Sequence, residues 1–390
     1  MSTVPAFWTR IVILIDSNPT LLPAIQSYLE WSRDVPLHVA VMRKPGTLED
    51  NDPGEKARVA AVMDLLGPHV HRWRSLLFDV IYSSSLPSLR RDFHGVASAL
   101  KGLGLKCRVD DSGNDASNIV GHGAFRCPVL ETLIIDCRNF VDSCMIDAQP
   151  FNDVEHIEIF QSSQSEGADE SLSLYAVLRT LQKFLNLRSL TVSDVKFDFA
   201  SGSYPVSSFF VPDSLAFKDL SGELLAEFFL VTGARPYSTM ITHCSITMFN
   251  NITSCDLTLE SIAADQDLTE FLGEWHGYCL DIQNCPGFND NVLARMGEAS
   301  SLSGNFGAPN MYSLCIVDCS NFSVGALRKM IDARCRSAPV YEHEDYSDDD
   351  FSDPSIVSRI DHLSFRGCGP SISSTDIEWF RANVEFFSLG

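Results

Sequence analysis

The chain has 390 residues, 45% apolar and 21% charged, which is the balance of a folded globular protein. Its 51 Asp and Glu against 29 Lys and Arg leave a formal charge of −22, which argues against nucleic acid as the partner, because phosphates are held by clustered Lys and Arg. No apolar run approaches the roughly 20 residues of a membrane helix; Ile11–Ile15 is bracketed by Arg10 and Asp16 and is shorter than a signal-peptide core.

The expectation is an intracellular protein, cytoplasmic or nuclear, with no membrane partner. Twelve cysteines without any Cys-x-x-Cys pair suggest reduced, mostly buried thiols rather than a disulfide framework or zinc ribbon.

Read in chain order, one pattern recurs: two apolar residues one position apart, then a small or apolar residue three positions on. Weak copies start at Ile13, Leu37, Leu76 and Leu103. Leu133-Ile134-Ile135-Asp136-Cys137 is one residue short, and another weak copy starts at Ile157. Leu190-Thr191-Val192-Ser193-Asp194-Val195 and Leu215-Ala216-Phe217-Lys218-Asp219-Leu220 follow, then a weak copy at Leu257. The clearest are Leu280-Asp281-Ile282-Gln283-Asn284-Cys285, Leu314-Cys315-Ile316-Val317-Asp318-Cys319 and Leu363-Ser364-Phe365-Arg366-Gly367-Cys368. Successive copies start 23 to 49 residues apart, enough for one strand and one crossover helix each.

The alternation describes a strand with one buried face. The closing cysteine reads as a small apolar residue where the strand turns away. Helices are signalled between the strands. Ser17 or Asn18 caps one, with Pro19 at its first position and Leu21, Leu22, Ile25 and Leu29 on its stripe. Asn289 or Asp290 precedes Val292, Leu293 and Met296, and Ser323 precedes Ala326, Leu327, Met330 and Ile331. Thr375-Asp376-Ile377-Glu378 reads as a capping box before Trp379 and Phe380.

Parallel strands need such crossovers. The expected fold is therefore α/β, a leucine-rich-repeat-like solenoid with a parallel sheet on the concave side and helices on the convex side. Residues 1–390 are expected to form a single irregular array. Ser201-Gly202-Ser203-Tyr204-Pro205 and Gly233-Ala234-Arg235-Pro236 are the places where it could break into two. The acidic run over 341–354 reads as an inserted, disordered loop, with a basic partner or a phosphosite at Ser347 as its functional alternatives.

Motifs of catalysis are missing. There is no G-x-S-x-G elbow, no phosphate loop ending in Gly-Lys and no H-E-x-x-H helix. Gly121-His122-Gly123-Ala124-Phe125-Arg126 lacks the third glycine of a dinucleotide loop and reads as a turn. His243, Cys244, Cys255, His276, Cys279 and Cys285 do not follow zinc spacing, and the acidic run lacks the alternation of a calcium loop. Asn251-Ile252-Thr253 and Asn321-Phe322-Ser323 match the glycosylation sequon, which an intracellular chain does not use. The expectation is no enzyme, no cofactor and no metal.

The side chain between the two buried apolars and the one at the next outward position should line the concave face. That places Asp79, Asp136, Glu158, Thr191, Ser193, Asp281, Gln283 and Arg366 there as candidate partner-binding residues. An acid-leaning surface of this kind suits a protein with a basic segment.

Several segments resemble a known family. Pro5-Ala6-Phe7-Trp8-Thr9-Arg10-Ile11-Val12-Ile13 resembles the junction after the F-box in fungal, mushroom-type F-box/leucine-rich-repeat proteins. His71-Arg72-Trp73-Arg74-Ser75-Leu76, Asn284-Cys285-Pro286-Gly287-Phe288 and Asp318-Cys319-Ser320-Asn321-Phe322-Ser323 are similar. The resemblance implies the substrate-recognition part of a Skp–cullin–F-box ubiquitin ligase. No F-box precedes Pro5, so the expectation is a truncated product or a paralogue that lost the module. A Skp-type adaptor is a partner only if an F-box exists upstream. The alternative is an orphan paralogue that binds a partner without ligase coupling.

Overall fold

The computed structural model describes residues 4–46, 51–111, 125–137, 139–140, 153–161, 163–164, 172–198, 212–246, 252–299, 306–338, 357–369 and 371–390. They fall into two compact units, Met1–Gly202 and Ser203–Gly390, divided within Ser201–Pro205, one of the two places where the array could break. The acidic run at 341–354, Ser347 and Gly121–Ala124 lie outside the described residues.

Unit 1 contains β1 (Arg10–Leu14), β2 (Leu37–Met42), β3 (Trp73–Tyr82), β4 (Gly102–Asp110), β5 (Thr132–Asp136), β6 (His156–Phe160), β7 (Ser163–Gln164), β8 (Leu172–Ser173), β9 (Ser189–Ser193) and β10 (Phe197–Asp198). Its described helices include α1 (Leu22–Trp31), α2 (Glu55–Leu66) and α3 (Leu174–Leu181). The sheet runs β1-β2-β3-β4-β5-β6-β9, every neighbour parallel. β7 lies beside the end of β4, and β8 pairs with β10.

Unit 2 contains β11 (Ser214–Lys218), β12 (Ser238–Thr242), β13 (Asp256–Glu260), β14 (Cys279–Gln283), β15 (Ser313–Val317), β16 (His362–Arg366) and β17 (Phe386–Leu389). Between them come α4 (Gly222–Thr232), α5 (Leu268–Gly273), α6 (Asp290–Gly297), α7 (Val324–Ser337) and α8 (Ser374–Asn383). These strands pair in chain order, again all parallel. Neither set of strands closes on itself. The architecture is α/β with open parallel sheets.

The alternating pattern sets the layers. In unit 1 the register stacks Ile11, Val39, Leu76, Leu103, Leu133, Ile157 and Leu190 into one row, none more than 4% exposed. In unit 2 the equivalent row is Leu215, Thr239, Leu257, Leu280, Leu314 and Leu363. Helices seal this side. Phe217 meets Phe228 and Phe229 of α4 at 5.0 and 5.7 Å between ring centres. Phe288, Phe322, Phe365 and Phe380 continue as a line of ring contacts in the C-terminal repeats.

All twelve expected copies begin on strands, and their paired apolar residues face the core. The first two are out of phase by one residue pair: the row runs through Ile11 and Val39 rather than Ile13 and Leu37. Both strands extend beyond the motif, and a bulge at Leu37/His38 shifts the β2 register. β12 and β17 carry no such motif. β12 has Thr239 where the pattern asks for an aliphatic residue, and β17 carries Phe387.

Helix starts divide in the same way. Asn289 caps α6 by accepting from Asn291 N and Val292 N, and Ser323 caps α7 through Ala326 N, as the sequence suggests. The other two expectations need correction. α1 begins at Leu22 with Pro23 in its first turn, not at Pro19. Asp16 accepts from Asn18 N, and Thr20 Oγ1 accepts from Leu14 N, so that stretch is a polar turn closing the edge of β1. The capping box of α8 is Ser373 with Asp376, two residues before the expected one.

Polar anchors lock the connections. Arg334 of α7 is fully buried and donates to the carbonyls of Met296, Gly307, Ala308, Pro309, Met311 and Ser358. One guanidinium fork thereby satisfies backbone acceptors at the end of α6 and in the connections before β15 and β16, which the sheet cannot reach. In unit 1 the buried Glu55 accepts from Ile81 N and Tyr82 N at the end of β3, with Arg43 3.8 Å away.

Candidate interaction surface

The strand residues of opposite parity form an open face in each unit. They are Ser, Thr, Asp, Glu, Lys and Arg far more often than aliphatic, because one side of each strand meets water. Asp79, Glu158, Thr191 and Ser193 lie half-buried on this face of unit 1. Glu158 stands opposite Thr191, and Ser193 opposite Phe160. Lys106 reaches Glu158 at 3.1 Å and lies 5.9 Å from the Phe160 ring centre, so this acid is already neutralised.

Asp136 requires correction as an accessible acid. It is 4% exposed, and its carboxylate accepts from Asn139 N and Asn139 Nδ2. It still pairs with Phe160 as the last residue of β5, and its carboxylate is spent on the backbone and side chain that follow the strand.

In unit 2, Asp281 and Gln283 come together, Gln283 Nε2 donating to Asp281 Oδ2 at 3.0 Å. The other oxygen, Asp281 Oδ1, is shielded from solvent and has no hydrogen-bond partner among the described residues. Arg366 is exposed at the end of β16, opposite Val317.

The two faces differ in charge. Unit 1 sets Arg10, Lys106 and Arg108 among Asp79 and Glu158. Unit 2 carries Asp256, Glu260 and Asp281 against Lys218 and Arg366. Asp213, Asp361 and Glu385, each one residue before a strand, add acids at the N-terminal ends of the unit 2 strands. Burial and the neighbouring Glu385 push the Asp361 carboxyl up, while His362 and Arg359 partly offset this.

Sequence reasoning missed the aromatic residues at those same strand ends. Tyr278 and Tyr312 approach at 6.2 Å between ring centres, Tyr312 and His362 at 6.1 Å, and His362 and Phe386 stack at 4.5 Å. Tyr237 and Phe386 are 64% and 54% exposed. These rings lie before the first buried apolar of each repeat, outside the two positions that the alternation assigns to the open face. A tyrosine two places before that motif, as at Tyr278 and Tyr312, was the signal available.

The thiols are built into the backbone. Cys244, Cys285, Cys319 and Cys368 each donate to the carbonyl two residues back, at 3.2–3.5 Å. The last three also reach a carbonyl of the preceding strand. Burial raises the Cys319 thiol to about 12 and the Cys244 thiol to about 11, far from thiolate chemistry. His243 lies 3.7 Å from Asp219 in a turn, and His276 Nδ1 meets its own loop at Glu274 O. Among the described residues, no group of His, Cys, Asp and Glu is placed to hold a metal ion. No described helix is long and apolar enough to cross a membrane.

No protein-family model matches the chain, and no curated protein matches it.

Proposed function

We propose that the protein is a protein–protein interaction scaffold of leucine-rich-repeat type, similar in role to the substrate-recognition part of a Skp–cullin–F-box ubiquitin ligase. The observation that supports this reading is the open sheet face. Polar side chains stand there in register rows on consecutive parallel strands, while the buried charged groups serve the connections beneath. Such a face offers many shallow contacts at fixed spacing, which suits an extended protein surface better than a small substrate. In this reading the protein is no enzyme and needs no cofactor, and its place is the cytoplasm or nucleus.

Affinity capture with the wild-type chain and the Glu158→Lys and Asp281→Lys variants tests it. Proteins held by the wild type and released by a variant whose circular dichroism is unchanged support the scaffold. Capture of the same proteins by all three sinks the face as partner surface. A Skp-type adaptor among the captured proteins supports ligase coupling; a face-dependent partner without that adaptor supports binding alone.

A further inference from the structure

The aromatic row of unit 2 shares the N-terminal strand ends with Asp256, Asp361 and Glu385, while Asp281 lies mid-strand on β14 and Glu260 at the far end of β13. Tyr237 precedes β12, Tyr278 precedes β14, Tyr312 precedes β15, and His362 and Phe386 open β16 and β17. Asp256 stands opposite Cys279, whose thiol donates to the Tyr312 hydroxyl at 3.8 Å, and Asp281 lies one open-face position further along β14. The cations on the strands of this face, Lys218 and Arg366, stand at the opposite ends of their strands, and exposed Arg235 and Arg359 lie in the connections three residues before β12 and β16. One half of the face therefore combines exposed rings with carboxylates.

This is the chemistry that takes a cation on two sides: the ring face attracts it, and the carboxylate pairs with it. Strands about 4.8 Å apart put roughly 24 Å between β12 and β17. An extended segment of about seven residues covers that distance.

We infer that unit 2 binds an extended basic segment of another protein, laid across the N-terminal ends of β12–β17, with Arg or Lys side chains over Tyr278, Tyr312 and Phe386 and paired with Asp256 and Asp281. This rests on the scaffold reading and names the partner's chemistry. The charge complementarity belongs to unit 2 alone, since the face of unit 1 carries three cations, Arg10, Lys106 and Arg108, against Asp79 and Glu158.

The probe is a fluorescein-labelled (Arg-Ser)4 peptide, read by anisotropy at 0.15 M salt, beside the same peptide with citrulline for arginine. Citrulline is expected to weaken binding at least tenfold. The Asp256→Asn/Asp281→Asn double variant should weaken it about tenfold, and Tyr312→Leu about threefold. The control Glu223→Gln/Glu378→Gln removes the same charge from the helical side, where both residues are exposed. It should leave binding within twofold.

Equal losses in the control and face variants would mean that bulk charge alone holds the peptide, and would overturn the inference. So would equal binding of the citrulline peptide. If Asp281→Lys releases captured proteins but (Arg-Ser)4 does not bind, the basic segment is wrong while the scaffold stands. If (Arg-Ser)4 binds as described but the captures ignore Asp281→Lys, the inference holds and the scaffold reading loses its support.

Discussion

One backbone position recurs after the strands of the C-terminal repeats. Asp194, Asp219, His243, Ser261, Asn284, Asp318 and Gly367 each follow a strand directly, and each has φ between 49° and 60°. Left-handed backbone costs an ordinary residue about 1–2 kcal/mol, and Asn, Asp and Gly bear it best. Ser261 is the misfit, so Ser261→Gly should raise stability by about 0.5–1 kcal/mol in urea titration, after the loss of chain entropy is subtracted. Gly367→Ala should do the opposite, because its Cβ would come 1.9 Å from Asp318 Oδ1. The turn is what brings each following cysteine inward, and its sulfur donates where an aliphatic residue could not. The sequence showed the cysteines as small apolar residues; their hydrogen bonds depend on carbonyls of the neighbouring strand and were not legible. A second residue-scale prediction concerns Asp52. Burial pushes its carboxyl up, but hydrogen bonds from Arg58 and Arg43 outweigh this and hold it below the usual carboxylate range. The folded value lies below the unfolded one, so the stabilisation is complete above the unfolded value near 4 and is lost as pH falls through the lower folded value. Asp52→Asn should cost about 2 kcal/mol at pH 7, since buried Arg43 loses a partner at 2.7 Å, and the gap to wild type should close in denaturation curves taken below pH 4.

At the scale of elements, local chemistry was readable where it was self-contained. Asn289 and Ser323 cap helices using only their own first turns, so position in the sequence suffices. α1 is the counter-case. Pro19 is as good a first-turn residue as Pro23, and the choice falls to Asp16 and Thr20, which hold the preceding segment against β1. β12 shows how a strand can hide. Its inner residue Thr239 is fully buried between Leu215 and Leu257, and its hydroxyl has no hydrogen-bond partner among the described residues. Parallel pairing to β11 and β13 carries the strand despite that residue. Replacing the hydroxyl by a methyl of similar size removes an unsatisfied group, so Thr239→Val should raise stability by about 1–2 kcal/mol in thermal or urea unfolding.

For the whole molecule, a charge of −22 works in two directions. Self-repulsion opposes compaction, so raising salt from about 0.01 to 0.15 M at pH 7 should raise the melting temperature by a few degrees in scanning calorimetry. The same change should weaken the (Arg-Ser)4 peptide, which depends on attraction across the open face. A melting temperature that falls with salt would show that exposed ion pairs such as Arg336–Asp332 outweigh the repulsion. The amino-acid order by itself determined the α/β class, the twelve strand positions and the side each strand buries, because a period of two is written in adjacent residues such as Leu280 and Ile282. The tertiary structure alone decided that Asp136 turns inward, that Glu158 is matched by Lys106, and that Tyr278, Tyr312, His362 and Phe386 form one row. Those facts join residues from different repeats, and only strand register determines which distant side chains become neighbours.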